Sequence, residues 1–538
     1  MAPPTPPTLG SAPAEPWRSS PVAPRRVGSD TVGLAASTVT LMGLVALLIW
    51  PLVPLLGLGF VSPPPPLAVI GFTMAVAAAS TLGALGLASI VAAAVRAGAF
   101  GGKVLLGICR VGLLLPPFVV PVALLALAGH GALNGGLGEA PLGRAAAIVV
   151  AQTFAFLPLA FALVMRALAD VSAEAEQAAE LLGASRWTVL HRVTLGLARP
   201  RLISAAFVVL GLCLADVATP LLLGAEHRML AAYVVTPADT IATWASGALA
   251  LSVLTLAVAL AGRTWRDTAV PLALRGASAV GLKPTPAARR ILTTLAWLIA
   301  GAVLVLWVTV PLASLLEPRR GLTLEHWTSV FSPPRPLGHT LLLGLGVAFV
   351  GTALALVIAA VAARGRDVTA SVIIWLTRVP VAIPGVVAGL GYLMVFGVPH
   401  GDLALLALLV AAWELPLTLT VAAGVLARTD RAREQAALSL GAGRLTTLRS
   451  VVLPALNPAA VWIFAHGFAT GLTAVGTVIV IAERSRLDLG VTDMLRLASL
   501  GSSSAACAFA TTLVALAGAA TLLGRAVAGR ESIPTLLA

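Results

Sequence analysis

Charge is scarce in this sequence. Only 11% of its 538 residues are charged, whereas 59% are hydrophobic; soluble proteins average about 25% charged residues. The three cysteines, Cys109, Cys213 and Cys507, are far apart and lack metal-ligand spacing. The only lysines are Lys103 and Lys283, and neither lies in the G-x-x-x-x-G-K-[ST] pattern that cradles nucleotide phosphates. We therefore expect no metal, no cofactor and no ATP hydrolysis by this chain.

Long apolar runs take the place of charge. About 20 apolar residues suffice to cross a bilayer. Helices are expected because backbone polar groups in lipid must be satisfied within their own segment. We predict an all-α integral membrane protein with about twelve spans, at residues 34–58, 68–95, 111–130, 145–168, 201–223, 246–263, 291–314, 338–363, 372–397, 402–427, 458–482 and 502–524.

The basic residues orient these spans. With the N-terminus inside, 27 of the 35 lysines and arginines fall in segments predicted to be cytoplasmic. This positive-inside bias predicts that both termini are cytoplasmic. It also accounts for the net charge of +13, so we expect lipid and not nucleic acid as a partner. Residues 1–33, rich in Pro, Ala and Ser, are predicted to be a disordered cytoplasmic tail and not a cleaved signal.

One polar loop occurs twice. Residues 157–200 align without a gap on 415–458, with 18 identities in 44 positions. In both copies the loop lies between apolar spans, on the side predicted to be cytoplasmic. Its repeated residues are Glu176, Gln177, Ala178, Ala179, Gly183 and Arg186 in the first copy and Glu434, Gln435, Ala436, Ala437, Gly441 and Arg444 in the second.

The repetition predicts a duplicated chain. A first repeat at 34–265 contains the loop 174–200, and a second at 291–538 contains the loop 432–458. A cytoplasmic linker at 266–290 joins them. Because each repeat holds six spans, the two are expected to be parallel, related by an axis along the membrane normal.

The repeated loop carries apolar side chains that need burial. In the first copy these are Leu181, Leu182, Trp187 and Leu190. Small alanines beside them allow close approach of another backbone, which favours a short helix inserted into a groove of a separate protein. The alternative is an amphipathic helix lying on lipid headgroups or against its own bundle.

These loops resemble the EAA motif of permease subunits of ATP-binding-cassette (ABC) importers, written E-A-A, three residues, G, nine residues, I-x-L-P. Gln177 and Gln435 replace the first Glu of the motif, and Gly196 replaces its final Pro in the first copy only. The resemblance covers most of the chain after the tail. Two such loops in one chain are similar to fused permeases, in which one polypeptide replaces a dimer.

The resemblance implies a type I importer permease in the bacterial cytoplasmic membrane. It implies two partners: a dimer of cytosolic ATPase subunits, one on each loop, and an extracytoplasmic substrate-binding protein. The chain itself would form the translocation pathway and hydrolyse nothing.

Three ionisable residues fall at membrane depth: Asp216, Glu414 and His466. Such residues are costly in lipid and usually face a cavity or a partner helix. All three are candidate pathway residues, and Asp216 is the candidate to line or gate the pathway. The alternative is interhelical hydrogen bonding or a place near the membrane interface. Glu414 precedes Pro416 and can be structural, because proline kinks helices.

The sequence says less about the transported substrate than about the fold. The stretch 214–224 is similar to an Asp-Phe-Gly-Thr-Pro segment of ferric-iron-type permeases, although Val217 and Ala218 replace Phe-Gly. This favours ferric iron, with thiamine, phosphonate, polyamine or an inorganic anion as alternatives. A 12-span secondary transporter is a rival class, but residues 96–103 lack the Asp and paired arginines expected between its second and third spans. A membrane-embedded enzyme is a third, weaker alternative.

Overall fold

The computed structural model describes most of the chain. Most of the predicted tail and most of the predicted linker lie outside the described residues, while residues 31–33, predicted to be in the tail, form the start of a helix. The described residues are 31–129, 141–169, 171–224, 228–235, 240–267, 285–317, 321–331, 335–362, 368–397, 402–428, 431–485 and 487–528.

Long apolar helices alternate with short ones in the first half of the chain. Ala and Leu, both strong helix formers, dominate the long ones. A π-helical segment, Val45–Ile49, joins the first two helices. The helices are α1 Thr31–Leu44, α2 Leu52–Val61, α3 Leu67–Arg96, α4 Gly102–Gly112, α5 Val119–Gly129, α6 Pro141–Ala169, α7 Ala173–Leu181, α8 Arg186–Thr188, α9 Leu195–Ala215, α10 Ala218–Leu222, α11 Leu230–Tyr233 and α12 Ile241–Asp267.

The second half has a similar succession, but two helices, Leu403–Trp413 and Leu415–Arg428, stand where the first half has α6, and a two-stranded antiparallel hairpin is added. Strands β1 (Leu316–Glu317) and β2 (Gly321–Leu322) form it, with Leu316 opposite Leu322. The helices are α13 Pro286–Ala313, α14 Glu325–Phe331, α15 Arg335–Ala362, α16 Val368–Leu376, α17 Val379–Ala382, α18 Gly385–Phe396, α19 Leu403–Trp413, α20 Leu415–Arg428, α21 Arg431–Ser439, α22 Arg444–Thr447, α23 Leu453–Thr473, α24 Ile479–Ser485, α25 Gly490–Ser499 and α26 Ser503–Ala528.

The described residues contain nine helical spans long and apolar enough to cross a membrane, or eleven if two bent pairs are each counted once. The all-α membrane fold is therefore confirmed, while the count of twelve is not. Among the described residues the shortfall lies at the predicted span 111–130, where the described part of the apolar helix α5 has 11 residues. Pro116 and Pro117 precede it, and proline cannot donate the backbone hydrogen bond that would continue α4.

Prolines also bend two spans of the second half. The helix pair Val368–Ala382 and Gly385–Phe396 turns by 106°. Pro384 forces the residue before it out of the helical conformation, and Ile383 is extended. The pair α19 and α20 turns by 59°, just before Pro416.

The structure corrects the ends of two predicted spans. Residues 201–223 and 458–482 were expected to be continuous helices, but α9 ends at Ala215 and α23 at Thr473. The next residues, Asp216 and Ala474, have extended ψ angles of 112° and 107°. Hydropathy does not distinguish an unbroken span from one whose freed backbone groups find partners inside the protein.

The first span of each half packs partly against the other half. Helices α1 and α2 pack against α16 and α18, and α2 also packs against α12 of its own half. Helix α13 packs against α3 and α5, and also against α26 of its own half. Hydrogen bonds fix both crossings: the Tyr392 hydroxyl donates to the Leu47 carbonyl at 2.9 Å, and Trp297 Nε1 donates to the Phe100 carbonyl at 3.0 Å. One large cluster of buried side chains contains residues of both halves, and a second, smaller cluster lies among the spans of the first half and α13.

One threonine in each half accepts an equivalent hydrogen bond. Thr73 Oγ1 accepts from the backbone N–H of Leu230 at 2.9 Å, and Thr340 Oγ1 accepts from that of Gly490 at 2.8 Å. Each hydroxyl also donates to the carbonyl four residues earlier in its helix. The bonds hold the segment after each helix break against the second span of its own half.

Candidate functional site

The two repeated loops have the same backbone. Helix α7 and helix α21 have equivalent bounds, 258 residues apart. Both end at a glycine with a left-handed backbone, Gly183 at φ 85° and Gly441 at φ 86°. In each, the glycine N–H donates three residues back and the next N–H five residues back, at 2.9 to 3.1 Å. This Schellman ending directs the chain away from the helix axis and satisfies the last carbonyls.

The loops present equivalent side chains to solvent. Gln177 and Ala178 are exposed and Ala179 is half-buried; their counterparts Gln435, Ala436 and Ala437 follow the same pattern. Large apolar side chains stand beside them. Leu182 and Leu440 are each 88% exposed. Arg186 and Trp187 are also exposed, whereas the side chain of Arg444 lies outside the described set.

Glu176 is the exception, because it points inward. Only 2% of its side chain is exposed, and both carboxylate oxygens accept from Arg96 Nη2 at 2.9 and 3.0 Å. The Thr194 hydroxyl donates to the same carboxylate at 2.5 Å. Arg96 is the last residue of α3, so this pair fastens α7 to the end of a membrane span. The counterpart Glu434 is half-buried.

The loops lead into matched irregularities of the following spans. Residues Val189–Thr194 and Leu448–Val452 form π-helical segments before α9 and α23. Such π-bulges often accompany functional sites. Thr194 has Val452 as its counterpart, so the hydroxyl that bonds Glu176 is absent from the second loop.

Asp216 occupies the break after α9. It is buried, and Gln152 Nε2 on α6 donates to Asp216 Oδ2 at 3.1 Å and to the Cys213 carbonyl at 3.1 Å. Asp216 Oδ1 accepts from the Thr219 backbone N–H at 3.2 Å, which satisfies a donor at the start of α10. The structure thus places Asp216 in interhelical hydrogen bonds.

Glu414 and His466 are brought together. Glu414 Oε2 lies 3.3 Å from His466 Nε2, and both side chains are half-buried. The imidazole also stacks on Trp462, with ring centroids 4.9 Å apart. Glu414 ends α19 at the 59° bend, so the contact joins the fourth and fifth spans of the second half.

The polar pairs are not repeated between halves. By the 258-residue spacing, Gln152 and Asp216 correspond to Val410 and Ala474. Glu414 and His466 correspond to Phe156 and Val208. Each half therefore connects its fourth and fifth spans through one polar pair, at different positions.

The two helix breaks meet each other. A Cβ built on Gly476, in the break of the second half, would lie 4.0 Å from Val217 Cγ2 in the break of the first. It would also lie 3.8 Å from the Val386 backbone nitrogen, at the start of α18. Val217 and Val386 are buried. The two breaks therefore lie side by side among buried residues, where the two halves adjoin. The sequence analysis did not predict this contact.

The repeat offers a test of the Asp216 contacts. Asp216→Ala leaves the Gln152 amide without its carboxylate partner, and an unsatisfied buried polar group costs about 1–3 kcal/mol. Gln152→Val with Asp216→Ala recreates the pair found at Val410 and Ala474, so we expect the double variant to regain most of the lost thermal stability. Scanning calorimetry of the purified protein measures this. A double variant less stable than Asp216→Ala would contradict the assignment.

Comparison with known proteins adds family information. Residues 84–267 match the family described as binding-protein-dependent transport system inner membrane component. A protein named as a ferric transport system permease from Haemophilus influenzae is 24% identical over 62% of this chain and 56% of its own length. A ferric transport system permease from Actinobacillus pleuropneumoniae is 24% identical over 62% of this chain and 51% of its own length.

A protein named as an ABC transporter permease from Sinorhizobium fredii is 25% identical over 58% of this chain and 60% of its own length. The chain thus spans between 51% and 60% of the length of these relatives.

The helical spans define a multi-pass membrane protein, and part of it matches an inner membrane family. Over residues 84–267 the chain is similar to the inner membrane components of binding-protein-dependent transport systems. Such components are transport subunits and are generally non-catalytic.

Proposed function

We propose that this chain forms the translocation pathway of an ABC importer and receives movement from two cytosolic ATPase subunits, one on each repeated loop. The observation that carries the proposal is the matched pair of exposed helix endings at Gly183 and Gly441. Each displays a nearly fully exposed leucine, Leu182 or Leu440, at the same position. Exposed apolar groups rimmed by polar residues are typical of protein-binding surfaces.

We further propose that the two halves are parallel repeats, at 34–265 and 291–538, joined by the linker 266–290. The equivalent helix bounds, the two Schellman endings and the two equivalent threonine hydrogen bonds support this division. The basic residues support an orientation with both termini and both loops in the cytoplasm. In that orientation one fused chain offers a docking loop to each member of an ATPase dimer.

The cargo that we propose is ferric iron delivered by an extracytoplasmic binding protein. Two of the similar proteins bear names of ferric transport permeases. The stretch 214–224 is also similar to the Asp-Phe-Gly-Thr-Pro segment of ferric-iron-type permeases. The pathway that we propose passes between the two helix breaks, where Val217 faces Gly476. Asp216 and Gln152 would position the first break from outside the pathway, because the carboxylate is buried among helices.

Purification of the chain with its endogenous partners tests this function. We expect an ATPase to copurify, with activity inhibited by vanadate. We also expect ferric-iron uptake into proteoliposomes to require ATP and the binding protein. Copurification without an ATPase, together with uptake that follows a proton gradient, would instead identify a secondary transporter. ATP-driven uptake of thiamine, phosphonate, polyamine or an inorganic anion in place of iron would refute only the cargo.

A further inference from the structure

Two arginines from different halves converge on one indole. The Arg263 guanidinium carbon lies 4.2 Å from the centroid of the Trp375 ring, and that of Arg378 lies 5.5 Å from it. Arg263 is on α12, in the first half. Trp375 is on α16 and Arg378 follows it, both in the second half. The cluster therefore bridges the junction of the halves.

Within the part of the chain that the structure describes, the cluster carries two positive charges and no matching negative one. Among the described side chains, no ion pair joins either guanidinium to a carboxylate. The indole attracts both cations through its ring face, but it does not neutralise them. Both arginines are exposed, and Trp375 is 53% exposed. An anion near the cluster would be attracted by both guanidinium groups.

The position of the cluster indicates what supplies that anion. Arg263 is the penultimate residue of the span Ile241–Thr264, and Trp375 lies in the first part of a bent span. Tryptophan is enriched at membrane interfaces, where its ring sits at headgroup level. Basic pockets between spans on the cytoplasmic side bind the headgroups of anionic lipids. Counting spans places this cluster on the same membrane face as the two repeated loops.

We propose that Arg263, Arg378 and Trp375 form a binding site for the phosphate group of an anionic phospholipid. The two guanidinium groups donate to the phosphate oxygens, since Arg presents planar donors suited to phosphate. The indole packs against the lipid beside them. A bound lipid then links α12 of the first half to α16 of the second, and this holds whatever the cargo of the permease is.

The first half supplies a matched control. Arg110 is the counterpart of Arg378 at a spacing of 268 residues, and Gly107 is the counterpart of Trp375. Arg110 is exposed, as Arg378 is, but its half has no indole at that position. Arg110→Gln therefore removes one exposed positive charge without touching the cluster.

Native mass spectrometry of the full chain, titrated with dioleoyl phosphatidylglycerol, tests the site. We expect Arg263→Gln with Arg378→Gln to raise the apparent Kd about thirtyfold, because two basic residues near an anionic headgroup are neutralised. Trp375→Leu should raise it less, and Arg110→Gln should leave it unchanged. Phosphatidylcholine is the neutral comparison lipid. Arg263→Lys with Arg378→Lys, which keeps both charges, should retain most of the binding.

Competition with inorganic phosphate distinguishes a phospholipid headgroup from a free phosphate anion as the ligand of this site. Failure of millimolar phosphate to displace the lipid supports a lipid site, and displacement assigns the site to a free phosphate anion. The proposal is overturned if the double glutamine variant, monodisperse and as stable as the wild type, binds phosphatidylglycerol as tightly as Arg110→Gln does. Equal binding of phosphatidylcholine and phosphatidylglycerol by the wild type would also overturn it.

Discussion

Replacing Glu176 with alanine is expected to reduce ATP-driven uptake by at least about tenfold while the protein remains in the membrane. Glu176 joins Arg96 at the end of α3 and Thr194 at the start of the fifth span. Removing one partner of a buried ion pair leaves an uncompensated charge and costs about 3–5 kcal/mol. Because the contact fastens α7 to a span, its loss should let the loop move without moving the helices.

Uptake and ATPase activity, measured together in proteoliposomes, distinguish uncoupling from unfolding. We expect ATP hydrolysis to persist while uptake falls. Glu174→Ala is the matched control, since Glu174 lies on the same helix with an exposed side chain. Thr194→Val, which copies Val452 of the second half, should have a smaller effect than Glu176→Ala. Equal uptake by the Glu176 and Glu174 variants at equal abundance would show that the ion pair does not transmit movement.

Valine at both loop glycines is expected to abolish coupled transport. Gly183 and Gly441 have φ angles of 85° and 86°, a conformation that is strained for a β-branched residue. Nothing lies within 4 Å of a Cβ built on either glycine, so the cost is in the backbone alone. Residues held in such conformations cost about 1–3 kcal/mol each. The strain should redirect the exposed leucines that follow α7 and α21.

Single and double variants then report how much each loop contributes. We expect each valine alone to lower the affinity for the ATPase about fivefold or more, since about 1 kcal/mol corresponds to that factor. Gly183→Asn should be milder, because asparagine tolerates left-handed backbone. Gly196→Ala is the control: it lies in helix α9 with open space around it, and alanine is favoured there. A Gly183→Val variant that binds the ATPase as well as Gly196→Ala does would rule out a role for the left-handed ending.

The two proposed repeats share backbone features and differ in the polar side chains that support them. Both loops keep the same Schellman ending, and both fifth spans break at the same place. The side chains that support these features differ, as Asp216 against Ala474 and Thr194 against Val452 show. Equivalent backbones in the two halves are therefore stabilised by different side-chain hydrogen bonds. We expect substitutions at equivalent positions to change stability by unequal amounts.

Sequence reasoning located the loops because their signal is local. A helix that ends at a glycine, followed by apolar residues in a polar segment, needs only neighbouring residues to form. The partner of Glu176 could not be found in this way, because Arg96 lies 80 residues earlier and the ion pair depends on how two helices pack. Gln152 was overlooked for the same reason, although a glutamine inside an apolar span is itself a signal of a buried partner.

The sequence by itself determined the membrane environment, the helical class and the repeated loops. Hydropathy decides the first two because lipid leaves the backbone few alternatives, and glycine decides the endings at Gly183 and Gly441 because it is strained least there. Only the tertiary structure decided where the spans break, that the first span of each half packs partly against the other half, and that Val217 lies next to Gly476. These features depend on contacts between segments distant in sequence. An apolar stretch by itself does not specify which neighbouring segment will pack against it or accept its free backbone hydrogen bonds.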